Sequence, residues 1–128
     1  MKIPQELVTC FVKAWNKSDE TDDLLQEWQI NRGWCYQFAL LIKEVYGSKC
    51  HLYMDQGHAW VKIGRKYYYD CVHLNGTTDM GDIRSWGGDP SEVSTKDLVT
   101  HWEVDGYSGD VQWGVIQEAA KMFLKGRK

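Results

Sequence analysis

Residues 34–46, running Trp-Cys-Tyr-Gln-Phe-Ala-Leu-Leu-Ile-Lys-Glu-Val-Tyr, constrain this chain more than any other stretch. Cys35, Phe38, Ala39, Ile42, Val45 and Tyr46 recur at helical spacing, and Leu40 and Leu41 widen the same face. A helix apolar over most of its surface has to be central and covered on several sides. Gly47 is a natural stop for it. The cover must come from the rest of 128 residues, one domain's worth of chain. At that size about two-thirds of the unfolded surface is buried on folding, so a core forms without staples.

Two further helices supply part of the cover. From Pro4 to Lys17, Leu7, Val8, Phe11, Val12 and Trp15 make one apolar stripe, with Pro4 suited to the first turn. From Asp110 to Lys125, Trp113, Ile116, Ala119, Ala120 and Phe123 mark a buried side, and Lys121, Lys125, Arg127 and Lys128 suit a helix C-terminus. The acidic run Ser18–Asp23 reads as a solvated loop leading into a short helix over Asp22–Trp28. Asn31-Arg32-Gly33 reads as a breaker.

Three strands are expected at Cys50–Met54, His58–Ile63 and Lys66–Val72, with turns at Asp55-Gln56-Gly57 and Gly64-Arg65. Both faces carry apolar or aromatic residues, which predicts a sheet covered on both sides. Residues 75–109 read as loop-rich, with one short helix or strand near Thr95–Val104, and Trp86-Gly87-Gly88 reads as plain loop, with a movable lid over a site as the competing reading. The fold class is therefore α+β, helices packed on a small antiparallel sheet, as a single domain over 1–128.

Charge narrows the function classes. The net charge of −3 lacks the clustered Lys and Arg of a nucleic-acid groove or a polybasic membrane patch. No apolar run approaches the ~18 residues of a spanning helix, and Met1–Glu6 has no signal-peptide core, so a cytoplasmic protein is expected. Four reduced cysteines, Cys10, Cys35, Cys50 and Cys71, fit that compartment, and no C-x-x-C is present. Cys50-His51 with Cys71-Val72-His73 offers a zinc set by residue type only. One pair is adjacent and the other alternate, so the four side chains do not converge. No metal or cofactor is expected.

Cys35 stands apart from the other thiols. It sits at the N-terminus of the central helix, where the helix dipole favours a thiolate, and a neighbouring imidazolium would favour it further. His58 follows a Gly turn at a strand entrance and is the candidate base. Asp70, one strand later, is the candidate orienter of its ring. Their pairing makes a geometric demand. A two-residue turn at Gly64-Arg65 makes paired positions sum to 129 and puts His58 and Asp70 on opposite faces. A three-residue loop, Gly64-Arg65-Lys66, makes them sum to 130 and brings both to one face, with Trp60 opposite Asp70. An Asp–His contact therefore predicts an odd-length hairpin loop or a bulge.

Gly33-Trp34-Cys35-Tyr36-Gln37-Phe38-Ala39 resembles the signature around the nucleophile of papain-like cysteine peptidases, and His58-Ala59 resembles their His-Ala pair. The run Trp60-Val61-Lys62-Ile63 and then Tyr67-Tyr68-Tyr69-Asp70 is similar to the transglutaminase-like branch, and arylamine acetyltransferases share the Cys, His, Asp order. The resemblance covers residues 29–72. Papain-type peptidases have Asn as third member and a longer Cys-to-His gap; here 22 residues lie between Cys35 and His58.

The resemblance implies a papain-like or transglutaminase-like core and a Cys35–His58–Asp70 triad acting on a peptide or protein amide through a thioester. It implies that Gln29, six residues before Cys35, joins the Cys35 N–H in an oxyanion hole. Trp34 and Trp60, beside the nucleophile and the base, are candidate walls of a substrate groove. Release to water would make a peptidase or deamidase, and release to an amine a transglutaminase. The competing reading is a binding or effector protein that keeps the scaffold without turnover.

Overall fold

The computed structural model describes residues 1–19, 21, 24–105 and 111–126. The chain is α+β. Among the described residues four α-helices, α1 (Gln5–Lys17), α2 (Cys35–Tyr46), α3 (Thr95–Thr100) and α4 (Trp113–Lys125), accompany four strands. The strands are β1 (Cys50–Met54), β2 (Ala59–Ile63), β3 (Tyr67–Tyr69) and β4 (Ser91–Val93), in the order β3-β2-β1-β4, every neighbouring pair antiparallel.

As its composition demands, α2 is the centre. Its first eight residues, Cys35 to Ile42, are all buried. It packs on α4, on β1 and on β2. Phe11 of α1 meets Phe38 edge-on at 5.8 Å, and Trp102 stacks on Tyr36 at 5.5 Å. Gln37 is the one polar member of the buried run. Its Oε1 accepts the backbone N–H of Gln112 at 3.0 Å, tying α4's N-terminal end to α2 and satisfying a buried amide.

Among the described residues the sheet has one helical cover, not two. Cys50, Leu52, Ala59, Val61, Ile63 and Tyr69 join the core that α2 completes. The opposite face covers itself with side chains. Tyr53 stacks on Trp60 at 6.3 Å and meets Tyr68 edge-on at 5.6 Å, while Lys62 Nζ lies 5.3 Å from the Tyr68 ring. Aromatic residues on that face thus signal a lateral ring cluster rather than a second layer of helices.

Other boundaries also shift. No helix is described over Leu24–Gln26; Asp22 and Asp23 of the expected 22–28 helix, and Glu20, lie outside the described residues. A 3₁₀ turn instead spans Glu27–Arg32, so Asn31 and Arg32 belong to it and only Gly33, at φ +141°, breaks the chain. Trp113 opens α4 and is 40% exposed, and Val115 takes the core position expected of it. Asp110, Arg127 and Lys128 lie outside the described residues. The stretch after Asn75 holds a 3₁₀ turn (Met80–Asp82), β4, α3 and a wider π-type turn (His101–Asp105). The unforeseen β4 pairs with the free edge of β1. Among the described residues no helix is long and apolar enough to cross a membrane.

Candidate active site

β2 and β3 pair Val61 with Tyr69, Lys62 with Tyr68 and Ile63 with Tyr67. These positions sum to 130, so the hairpin loop is the three-residue Gly64-Arg65-Lys66, and Gly64 takes φ +78°. That is the register in which His58 and Asp70 share a face, and they meet. His58 Nε2 lies 2.8 Å from Asp70 Oδ2, with both side chains buried. Neither residue is within a strand; each flanks one, where the backbone is free to turn its side chain toward the partner.

Cys35 is the first residue of α2, so its backbone N–H has no acceptor within the helix. Its thiol neighbours the His58 imidazole. With Nε2 committed to Asp70, Nδ1 is the nitrogen left for Cys35. Burial alone would push the His58 pKa down. The Asp70 carboxylate and the Cys35 thiol outweigh burial by hydrogen bonding and charge, and raise it from 6.5 to about 9. Asp70 shows the reciprocal effect. Burial would raise its pKa, but His58 and the His73 N–H groups hold it down at about 2.

The carboxylate of Asp70 is held by more than His58. Oδ1 accepts the backbone N–H groups of Val72 (3.0 Å) and His73 (2.7 Å) and contacts His73 Nδ1 at 2.9 Å, and Oδ2 also accepts Asn31 Nδ2 at 3.2 Å. Asn31 in turn accepts the Cys71 thiol at 3.1 Å on its Oδ1. A second buried carboxylate, Asp55, fixes the turn that presents His58. It accepts the N–H groups of Gly57 (3.0 Å) and His58 (2.9 Å) and both the N–H and the hydroxyl of Ser85. Ser85 and the Gln56 N–H bond to Gly87 O dock the Trp86 loop on this turn.

Asn31, Asp55 and His73 were not among the expected site residues. Asp70-x-x-His73 and Asp55-x-x-His58 share an Asx-turn pattern, in which the carboxylate takes the N–H groups two and three residues on. That pattern was the available signal. Asn31 had none beyond standing one helical turn before Cys35.

The remaining expected residues divide. Gln29 sits in the 3₁₀ turn before α2, where its Oε1 accepts the Gln26 N–H at 2.8 Å in a reciprocal cap, leaving Nε2 to donate. Trp60 is 0% exposed and stacks on the His58 ring at 5.7 Å, so it backs the imidazole instead of walling an open groove. Trp34 is half-buried and meets Trp15 edge-on at 5.9 Å. The zinc set is dispersed: Cys50 is in the core, His51 pairs with Glu92 at 3.1 Å, and Cys71 and His73 serve Asn31 and Asp70. Among the described residues no cluster of three or more His, Cys, Asp or Glu side chains could hold a metal.

No curated protein and no solved structure matches this chain. The model of a family described as Phage YunG-like protein matches residues 14–103, a span that takes in Gln29, Cys35, His58, Asp70 and His73, and the chain belongs to that family.

Proposed function

We propose that this chain is a thiol-dependent acyl-transfer enzyme of the cytoplasm, with a papain-like or transglutaminase-like core, acting on a peptide or protein amide. The observation that carries the reading is the chain of contacts from Cys35 at the start of α2 through His58 to Asp70. In the imidazolium both ring nitrogens donate, so one proton faces sulfur and the other the carboxylate. Cys35 Sγ attacks the amide carbonyl, and a C–S bond forms. Oxyanion charge falls to the Cys35 N–H and the Gln29 Nε2, donors each worth ~3–4 kcal/mol in sites of this kind. The proton on His58 Nδ1 passes to the leaving amine as the C–N bond breaks, which leaves a thioester on Cys35. Water or a second amine then takes the acyl group with His58 as base. Asp70 fixes the tautomer throughout.

A specific observation favours the second reading, a binding or effector protein on the same scaffold. Cys35 is 4% exposed and His58 6%, so a substrate reaches sulfur only if neighbouring side chains part. One experiment separates the two. Iodoacetamide labelling is followed residue by residue by mass spectrometry at about pH 6.5, where roughly 1% of an ordinary thiol is ionised. The enzyme reading expects Cys35 to label at least ten times faster than the half-buried Cys10, and His58→Ala to remove the difference. Equal rates sink it. A Cys35→Ser protein that retains full biological effect supports the binding reading.

A further inference from the structure

We infer that His73 is a second imidazole of the site: it shares the Asp70 carboxylate with His58 and limits how tightly that carboxylate holds the His58 proton. The inference rests on the thiol-enzyme reading and deepens it.

Asp70 carries five donors, more than the four lone-pair positions of a carboxylate. They are the rings of His58 and His73, the Asn31 amide and the N–H groups of Val72 and His73. The two backbone groups already fix the carboxylate in an Asx turn. The His73 ring is therefore surplus to positioning, and its effect is electrostatic. Each donor on Oδ1 draws negative charge from Oδ2, the oxygen that faces His58. A general acid held too firmly by its partner gives its proton reluctantly to a leaving amine, and a weaker hold brings it closer to the operating pH.

Exposure points the same way. The Asp70 and His58 side chains are 4% and 8% exposed, and that of His73 is 31%. His73 lines a cavity of about 530 Å³ with Lys2, Gln5 and Asn75. It therefore joins a buried ion pair to solvent. The other charged or titratable groups around the cluster are Cys35 on α2, Cys71 beside Asp70, Asp55 at the His58 backbone and Lys2 in the cavity.

The test is the pH profile of Cys35 alkylation by iodoacetamide in the full chain, whose upper inflection reports proton loss from His58. His73→Ala removes one donor from Oδ1, concentrates charge on Oδ2 and moves that inflection up by about half a pH unit, a threefold tighter hold on the proton. His73→Asn places an amide N–H near the position of Nδ1 and restores it. A purely structural His73 lowers the melting temperature in His73→Ala but leaves the inflection in place, and that result, or a downward shift, overturns the inference. If the wild-type profile ignores His58→Ala, the thiol-enzyme reading fails and takes this inference with it. A profile that responds to His58→Ala but not to His73→Ala refutes the inference alone.

Discussion

Replacing Asp70 by Asn tests the electrostatic centre of the site without changing its shape. The amide oxygen can still accept the Val72 and His73 N–H groups, so the turn survives and the negative charge is lost. His58 is raised from 6.5 to about 9 in the folded chain. At 1.36 kcal/mol per unit this is a preference of about 3 kcal/mol for the imidazolium. Because the folded value lies above the unfolded one, that stability is fully present below pH 6.5 and is lost as the pH rises through 9. Asp70 is lowered from 3.8 to about 2, so its share is present above pH 3.8 and is lost as the pH falls through 2. The two shifts largely describe one bond from its two ends and are not summed. In Asp70→Asn only Cys35 is left to oppose burial at His58, and its pKa falls. Urea unfolding, followed by tryptophan fluorescence in reductant, should show wild type more stable than the variant at about pH 6. The difference should shrink as the pH rises to roughly 9.5, by up to about 3 kcal/mol when Asp70 carries the whole shift. Groups that titrate alike in both proteins cancel in that difference. A gap constant to within about 0.5 kcal/mol across the range would refute the assignment of the His58 shift to Asp70.

Three other outcomes are expected. Asp55→Ala leaves the buried His58 N–H and its neighbours without an acceptor, and should lower the unfolding free energy by about 3 kcal/mol in urea titrations with an unchanged m-value. Gly76 and Gly64 both have positive φ, but a Cβ at Gly76 would stand 2.8 Å from Tyr69 Cε1, while at Gly64 nothing lies within 4 Å. Gly64→Ala should therefore cost only the backbone's ~1 kcal/mol and Gly76→Ala at least ~1 kcal/mol more, read from paired thermal melts. Burial pushes the Cys50 and Cys71 thiols up to about 12, so at pH 8 iodoacetamide should leave both unmodified until denaturant is added, as peptide mass spectrometry would show.

What the sequence made legible, and what it hid, follows from the physics of each signal. The central helix is expected from Trp34 and begins at Cys35, because a helix apolar over most of its surface has to sit at the centre. The two-residue period of a strand is enough to set the hairpin's condition: an Asp–His contact demands an odd loop or a bulge, and the register sum of 130 and the 2.8 Å contact occur together. β4 was hidden because Ser-Glu-Val has no apolar alternation. It is a strand only because the open edge of β1 offers it partners. Trp113 fits the helical period yet opens α4, with no preceding turn to share its burial. The polar surroundings of the site were hidden for a different reason. Periodicity locates apolar side chains, and it says nothing about which carboxylate a turn will close upon. Asn31 stands in a stretch that reads as a breaker, Asp55 in one that reads as a turn and His73 just past the expected third strand, and both carboxylates, Asp55 and Asp70, take N–H groups where the chain leaves regular structure. Those are the places where backbone N–H groups are free to bind a carboxylate instead of a strand or helix partner. In a chain this short the turns that reverse the backbone are therefore also the scaffold that holds His58 and Asp70 together. On the thiol-enzyme reading, a substitution at Asp55 or Asn31 should change the rate at which iodoacetamide labels Cys35 without touching the thiol.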